Sequence, residues 1–110
     1  MAAEYIYKGE TLDYTNPSDE NAIGAGDVIV LGTKARIAIA ACDIPPSGAG
    51  AVHVIGVFKL PKGTGAITQG TAVYWDGEKI TTTSSSNTPA GYAAAPAASG
   101  DTEIEVKLVG

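Results

Sequence analysis

Few side chains in this 110-residue sequence could act as nucleophiles, bases or metal ligands. His53 is the only histidine, and it stands in the apolar run AVHVI, where an imidazole usually packs within a strand instead of acting as a base or a ligand. Cys42 is the only cysteine, and it has neither a CxxC partner nor a basic neighbour that would activate its thiol. The sequence therefore predicts that the protein is not an enzyme.

The acidic residues show no pattern of a ligand site either. The twelve carboxylates are spread along the chain, and those from Asp13 to Asp27 lack the regular spacing of the oxygen ligands in a calcium loop. The segments around Lys34 and Lys62 lack the GxxxxGK motif, followed by Ser or Thr, that cradles phosphate groups. We therefore expect neither a metal ion nor another cofactor.

Charge and hydropathy argue against two classes of partner. The net charge is −5, and the seven cationic side chains are scattered, whereas a nucleic-acid-binding domain usually carries a clustered basic face. The longest apolar run, Ile37 to Cys42, is too short to span a membrane.

The first four residues, MAAE, lack the charged and apolar regions of a secretory signal, so we expect synthesis in the cytosol. The length predicts a single domain, residues 1–110.

Short strand-like runs separated by clusters of Gly, Pro, Ser and Asn dominate the sequence, and helical periodicity is hard to find. We therefore predict an all-β fold. The predicted strands are residues 4–8, 11–14, 27–31, 35–41, 51–60, 71–75, 79–83, 91–95 and 102–109.

Alternation along these strands indicates what covers them. Residues 102–109 alternate apolar and charged side chains, as expected for a strand with one solvated side. Residues 28–31, 35–41 and 51–60 instead carry apolar side chains on both faces. Such strands need either a double-layered fold or a subunit interface over the second face, and we favour the interface.

The segment from Ala66 to Thr83 predicts a β-hairpin with its turn at Asp76-Gly77, because these residue types tolerate the positive φ angles of a type I′ turn. A two-residue loop would place Trp75 opposite Glu78. The face that carries Trp75 would then also carry Val73 and Ile80, and the opposite face would carry Tyr74 and Lys79.

Trp75 is the only tryptophan, and we interpret it as an anchor in a core or an interface, because a large aromatic side chain buries much surface wherever it packs. The alternative is a ligand platform. In that case Tyr74, Trp75 and Glu78 would belong to a small domain that binds a carbohydrate or a peptide.

A weak internal repeat is present. Residues 22–30, AIGAGDVIV, align with residues 66–74, AITQGTAVY, and both place Ala-Ile three residues before a Gly that opens a strand. A looser third copy covers residues 9–14. One turn-then-strand unit would then be used several times in a small barrel, with chance similarity as the alternative.

Several motifs together resemble the small phage head proteins known as capsid cement or head decoration proteins. They run nearly end to end: YIYKGETLDY at residues 5–14, AGDVI at 25–29, GVFKLPK at 56–62 and VYWD at 73–76. The last two together are the most specific. The resemblance implies a small β-barrel or β-tulip-like domain without an active site.

The resemblance also implies a virion structural protein that binds the outer surface of the phage head. Such a protein, made in the host bacterial cytoplasm, would contact the major capsid protein, bridge capsomers and stabilise the expanded head, as a homotrimer. Residues 1–7 would form an arm that adds a strand to a neighbour's sheet, with an ordinary first strand as the alternative. The residues expected at the capsid or subunit interface are Tyr5, Ile6, Tyr7, Phe58, Leu60, Pro61, Tyr74 and Trp75.

Overall fold

The computed structural model describes Ala3 and residues 9–108, and this part of the chain forms nine β-strands and no helix. The prediction of an all-β fold is confirmed, whereas the predicted strand 4–8 lies outside the described residues. The strands are β1 Thr11–Thr15, β2 Val28–Leu31, β3 Arg36–Ala40, β4 Ala49–His53, β5 Gly56–Pro61, β6 Ala72–Trp75, β7 Ile80–Thr81, β8 Thr88–Ala93 and β9 Glu103–Leu108.

The strands form two antiparallel sheets, with the orders β1-β4-β3-β2 and β5-β9-β8-β6-β7. Neither sheet closes into a barrel through a continuous ladder. A single bridge between Lys62 and Ile80 joins the two ends of the second sheet at one corner, so this sheet is strongly curled but open.

The two sheets are two copies of one topology. We call residues 9–54 half 1 and residues 56–108 half 2. In half 1, β1, β4, β3 and β2 lie side by side in the order in which β5, β9, β8 and β6 follow one another in half 2, and β7 is an addition to half 2. Single hydrogen bonds correspond as well: the Asn16 amide donates to Gly48 O at 2.8 Å, and the Lys62 amide donates to Thr102 O at 2.9 Å.

The repeat between residues 22–30 and 66–74 is confirmed as part of this duplication. Gly26 and Gly70 have φ angles of 89° and 88°, which glycine adopts without strain. The Gly26 amide donates to Ala40 O at 2.9 Å, and the Gly70 amide donates to Ala93 O at 2.8 Å. The looser third copy at residues 9–14 is not equivalent, because it leads into β1, which corresponds to β5.

Turns closed by the same i to i+3 backbone hydrogen bond also follow Ile44 and Ala97, where the residues show no repeat, although Gly100 in the turn after Ala97 lacks the positive φ of Gly26 and Gly70. Ile23 and Ile44 exchange two backbone hydrogen bonds of 2.9 and 2.8 Å, and Ile67 and Ala97 exchange two of 2.9 Å each. Each half is therefore closed at one end by a pair of bridged turns.

Two buried clusters follow from the duplication. The half-1 core consists of Ile29, Ala38, Ala40, Ile44, Val52 and Val54. The half-2 core consists of Leu60, Ile67, Val73, Ile80, Ala90, Ala93, Ala97, Ile104, Val106 and Leu108, together with Ile37 and Ile39 from half 1. β3 thus packs both of its faces inside one chain, so for this strand the double-layered alternative is correct and the subunit interface that we favoured is not needed.

The predicted strand 51–60 is wrong, because β4 ends at His53 and β5 begins at Gly56. Gly56 has a φ angle of 119°, a conformation that side chains disfavour, and the chain passes there from one sheet to the other. The apolar run therefore spans the link between the two halves and is not one strand.

Candidate interaction surfaces

The hairpin around Asp76 differs from the prediction in register. Trp75 pairs with Ile80 and Tyr74 with Thr81, so Trp75 does not face Glu78. Gly77 has a positive φ of 106°, but Asp76 is not among the residues with positive φ, so the predicted type I′ turn at Asp76-Gly77 is wrong.

The Asp76 side chain explains this turn. Its Oδ1 accepts hydrogen bonds from the Glu78 amide at 2.8 Å and the Lys79 amide at 2.7 Å, as in the Asx turns that Asp forms with its own backbone. The N–H group of Lys79, followed by that of Glu78, holds the pKa of the Asp76 carboxyl below its ordinary value of 3.8. The register shift is two residues, an even number, so Val73, Trp75 and Ile80 still share one face, as predicted.

Trp75 is half-buried and packs against the half-2 core. It also lines a cleft of about 190 Å³ together with Val30 and Lys34 of half 1. Lys34 Nζ donates to Ser86 O at 2.9 Å across the same seam. Trp75 therefore lies where the two halves of one chain meet, which agrees with its interpretation as an anchor.

The other predicted interface residues have different environments. Leu60 is buried in the half-2 core, and Phe58 packs against that core while its ring lies 5.5 Å from the ring of His53. Both side chains therefore serve the packing of the chain itself. Pro61 is exposed and Tyr74 is half-buried on the solvent side of its sheet. Tyr5, Ile6 and Tyr7 lie outside the described residues.

The solvent side of the second sheet carries an apolar patch that the sequence analysis did not single out. Val57 is 52% exposed and Tyr92 is 38% exposed. Both pair with Lys107, which lies between them, and Tyr92 also pairs with Ala72. We call this row of Val57, Lys107, Tyr92 and Ala72 the outer face of half 2. Alternation could have revealed it, because Val57 falls on the face opposite Phe58 and Leu60.

The described residues contain no group of three or more His, Cys, Asp or Glu side chains that could hold a metal ion. A membrane-spanning helix is likewise not found in the part of the chain that the structure describes. Cys42 is exposed just beyond β3. The surface features that stand out are therefore apolar side chains on sheet faces.

Comparison with known proteins assigns the family. The family model for phage cement proteins matches residues 6–108, nearly the whole chain. The chain belongs to the phage cement protein family. No curated protein and no solved structure matches it significantly. Members of this family are structural proteins, so the cement protein has a structural role in the phage capsid and a capsid-associated place in the virion.

Proposed function

We propose that this cement protein binds the outer surface of the assembled phage head, contacts the major capsid protein and bridges adjacent capsomers, without catalysing a reaction. The family match over residues 6–108 carries the proposal. The shape supports it, because the chain is a plate of 42 × 40 × 23 Å that presents sheet faces over a broad area. A plate of this kind allows a small protein to cover the boundary between two capsomers.

Weak single contacts suffice for such a role. A protein of this size offers one modest interface to each neighbour, but a subunit that touches two capsomers binds the second at a high effective concentration. Many copies on one expanded head then resist its rupture together. The expected result is a higher temperature or internal pressure at which the head breaks.

Self-association would raise this avidity further, and we propose that the protein acts as a homotrimer. Pro61 and Tyr74 remain candidates for a capsid or subunit contact because their side chains reach the surface. For residues 1–7 we propose an arm that adds a strand to a neighbouring sheet edge, with a first strand of the same chain as the alternative.

The decisive experiment is binding of the purified protein to undecorated expanded heads. Co-sedimentation should saturate at a fixed number of copies per head, and bound heads should release their DNA at a higher temperature than bare heads. Unexpanded heads serve as the control. An absence of binding to both head forms would contradict the proposal.

A carbohydrate- or peptide-binding role is the second candidate. The cleft beside Trp75 is the observation that favours it, although Trp75 is half-buried against the core. Emission of this single tryptophan should stay constant when mono- and oligosaccharides are titrated, and a saturable shift would favour the second candidate over the first.

A further inference from the structure

The contact between the two halves follows one rule: the outer face of one half closes the core of the other. Ile37 and Ile39 point out of half 1 into the half-2 core, and Val28 packs beside them. His53 lies on the same outer face, since it pairs with Ile39, and its ring meets the ring of Phe58 from half 2. Half 1 thus acts as a lid on half 2.

Strand pairing defines which residue of half 2 corresponds to each residue of this lid. In half 1, His53 pairs with both Ile39 and Thr11. In half 2, Lys107 pairs with both Tyr92 and Val57. Tyr92 therefore corresponds to Ile39, and Lys107 corresponds to His53. The outer face of half 2 is the counterpart of the lid.

The surfaces that such a lid covers also correspond between the two halves. Strand β1 occupies the position of β5, and matching Asn16 with Lys62 makes Leu12 the counterpart of Phe58 and Tyr14 the counterpart of Leu60. We call Leu12, Tyr14 and Ile23 the open side of half 1.

The centre of the half-1 core, including Ile44 and Val52, is fully buried, but its margin is more exposed than the corresponding margin of half 2, as if a lid were absent there. Ile39 is 3% exposed under half 2, whereas its counterpart Tyr92 is 38% exposed. Leu60 and Ile67 are buried in half 2, whereas their counterparts Tyr14 and Ile23 are only half-buried, and Leu12 is 39% exposed. Within the described residues, the outer face of half 2 covers nothing and the open side of half 1 lacks a lid.

We propose that the outer face of half 2 in one copy packs against the open side of half 1 in the next copy. The contact between copies would have the same arrangement as the contact between the two halves of one copy. It rests on the self-association proposed above. The two surfaces differ, so the contact is head-to-tail and generates a closed ring or an open filament, not a two-fold dimer. A trimer closed in this way would be a ring of six similar halves.

The chemistry of the two surfaces fits a reversible contact. Tyr92 and Val57 supply an aromatic and an aliphatic anchor that would bury the exposed side chain of Leu12. Lys59 and Glu105, which pair beside this row, would form a polar rim. The covalent link at residues 54–56 has no counterpart between copies, so association depends on protein concentration and is favoured on a head surface.

Chemical cross-linking of cysteines tests the predicted pair. Lys107 and Leu12 correspond to His53 and Phe58, whose rings lie 5.5 Å apart, so thiols at positions 107 and 12 of adjacent copies should lie within reach of a short bis-maleimide cross-linker. We would replace the exposed Cys42 by Ala, prepare the single variants Lys107→Cys and Leu12→Cys, and mix them with this cross-linker. The expected product is the mixed dimer. Its yield should be at least tenfold higher than that of a control mixture of Leu12→Cys with Glu78→Cys, a variant at an exposed turn residue.

Two results would overturn the proposal. One is a mixed yield no higher than that of the Glu78→Cys control. The other is efficient coupling of Lys107→Cys with itself, which would show a two-fold contact between identical faces. Circular dichroism of each variant confirms that it is folded, and the mixtures are tested both in solution and on heads.

A substitution separates this contact from head binding. Tyr92→Lys should reduce the oligomer seen by light scattering at least fivefold in association constant, whereas Glu78→Lys should leave it unchanged. An unchanged oligomer in Tyr92→Lys contradicts the contact. If the wild-type protein instead fails to bind heads while the cross-link forms, the proposed function fails and the contact stands.

Discussion

The backbone of Gly91 lies directly against the carbonyl group of Lys107 in the adjacent strand. A Cβ atom on Gly91 would overlap that carbonyl oxygen, and Gly91 has a φ angle of 138°, which side chains rarely adopt. We expect Gly91→Ala to lower the free energy of unfolding by about 3 kcal/mol or more, since overpacking and backbone strain each cost about 1–3 kcal/mol. Urea denaturation measures the change.

The control is Gly100→Ala. A Cβ atom there meets nothing within 4 Å, and φ is not positive, so the free energy of unfolding should change by no more than about 0.5 kcal/mol. Equal effects of the two substitutions would show that the close approach of β8 and β9 does not limit side-chain size.

The buried Asn16 side chain holds two loops of half 1 together. Its Nδ2 donates to Asn21 O at 2.8 Å in its own loop and to Pro45 O at 3.4 Å in the loop before β4, and its Oδ1 accepts from the Ser18 amide at 3.0 Å. Asn16→Ala should therefore cost about 1–3 kcal/mol in thermal or urea unfolding, because buried backbone groups lose their partner. Asn87→Ala removes a bond of similar length, 2.9 Å to Thr83 O, at an exposed site and should cost clearly less.

Ile39 tests the dependence of half 2 on half 1. Ile39→Ala should destabilise the chain by about 2–5 kcal/mol, since the side chain is 3% exposed within the half-2 core. Hydrogen exchange should quicken at the amides of β8 and β9, although the substituted residue belongs to half 1. Ile23→Ala, at a half-buried position of half 1, is the matched control, and protection of β8 and β9 should change less in that variant.

Asp76 predicts a small pH dependence of stability. Its folded pKa is lowered, so its contribution is fully present above the unfolded value of 3.8 and is lost as the pH falls through the folded pKa. The side chain is exposed, so solvent screens the effect. Asp76→Asn keeps an acceptor oxygen but does not titrate in this range.

The measurement for Asp76 is the urea midpoint at pH 7 and pH 3. The wild-type protein should lose slightly more stability between these values than Asp76→Asn, and the other carboxylates contribute equally to both. A larger loss in the Asn variant would contradict the assigned role of the Asp76 carboxylate in the turn.

Alternation and turn residues predicted the all-β class and the shared face of Val73, Trp75 and Ile80. The register of that hairpin was not predictable from the Asp-Gly pair, because the Asp76 side chain competes for the turn amides. Alternation likewise predicted apolar residues on both faces of β3, but it did not predict what covers them. A lid from the same chain and a lid from another chain leave the same pattern in one sequence.

The duplication was visible only in part. Residues 22–30 and 66–74 keep the Ile and Gly that their turn requires, whereas the equivalent positions Ile44 and Ala97 share only an apolar character. The turn after Ile44 uses Ser47 with a positive φ of 58° in place of a glycine. Backbone hydrogen bonds preserve this turn where side chains do not, so geometry was needed to find it.

Among the described residues, the half-1 core draws only on half 1, whereas the half-2 core is incomplete without Ile37 and Ile39. The order of synthesis matches this dependence, because the ribosome releases the N-terminal half first. Half 1 can thus assemble while half 2 is still being made, and it then offers a preformed apolar template on which the second sheet condenses. The contact through which half 1 covers the half-2 core therefore also sets the order in which the two halves fold.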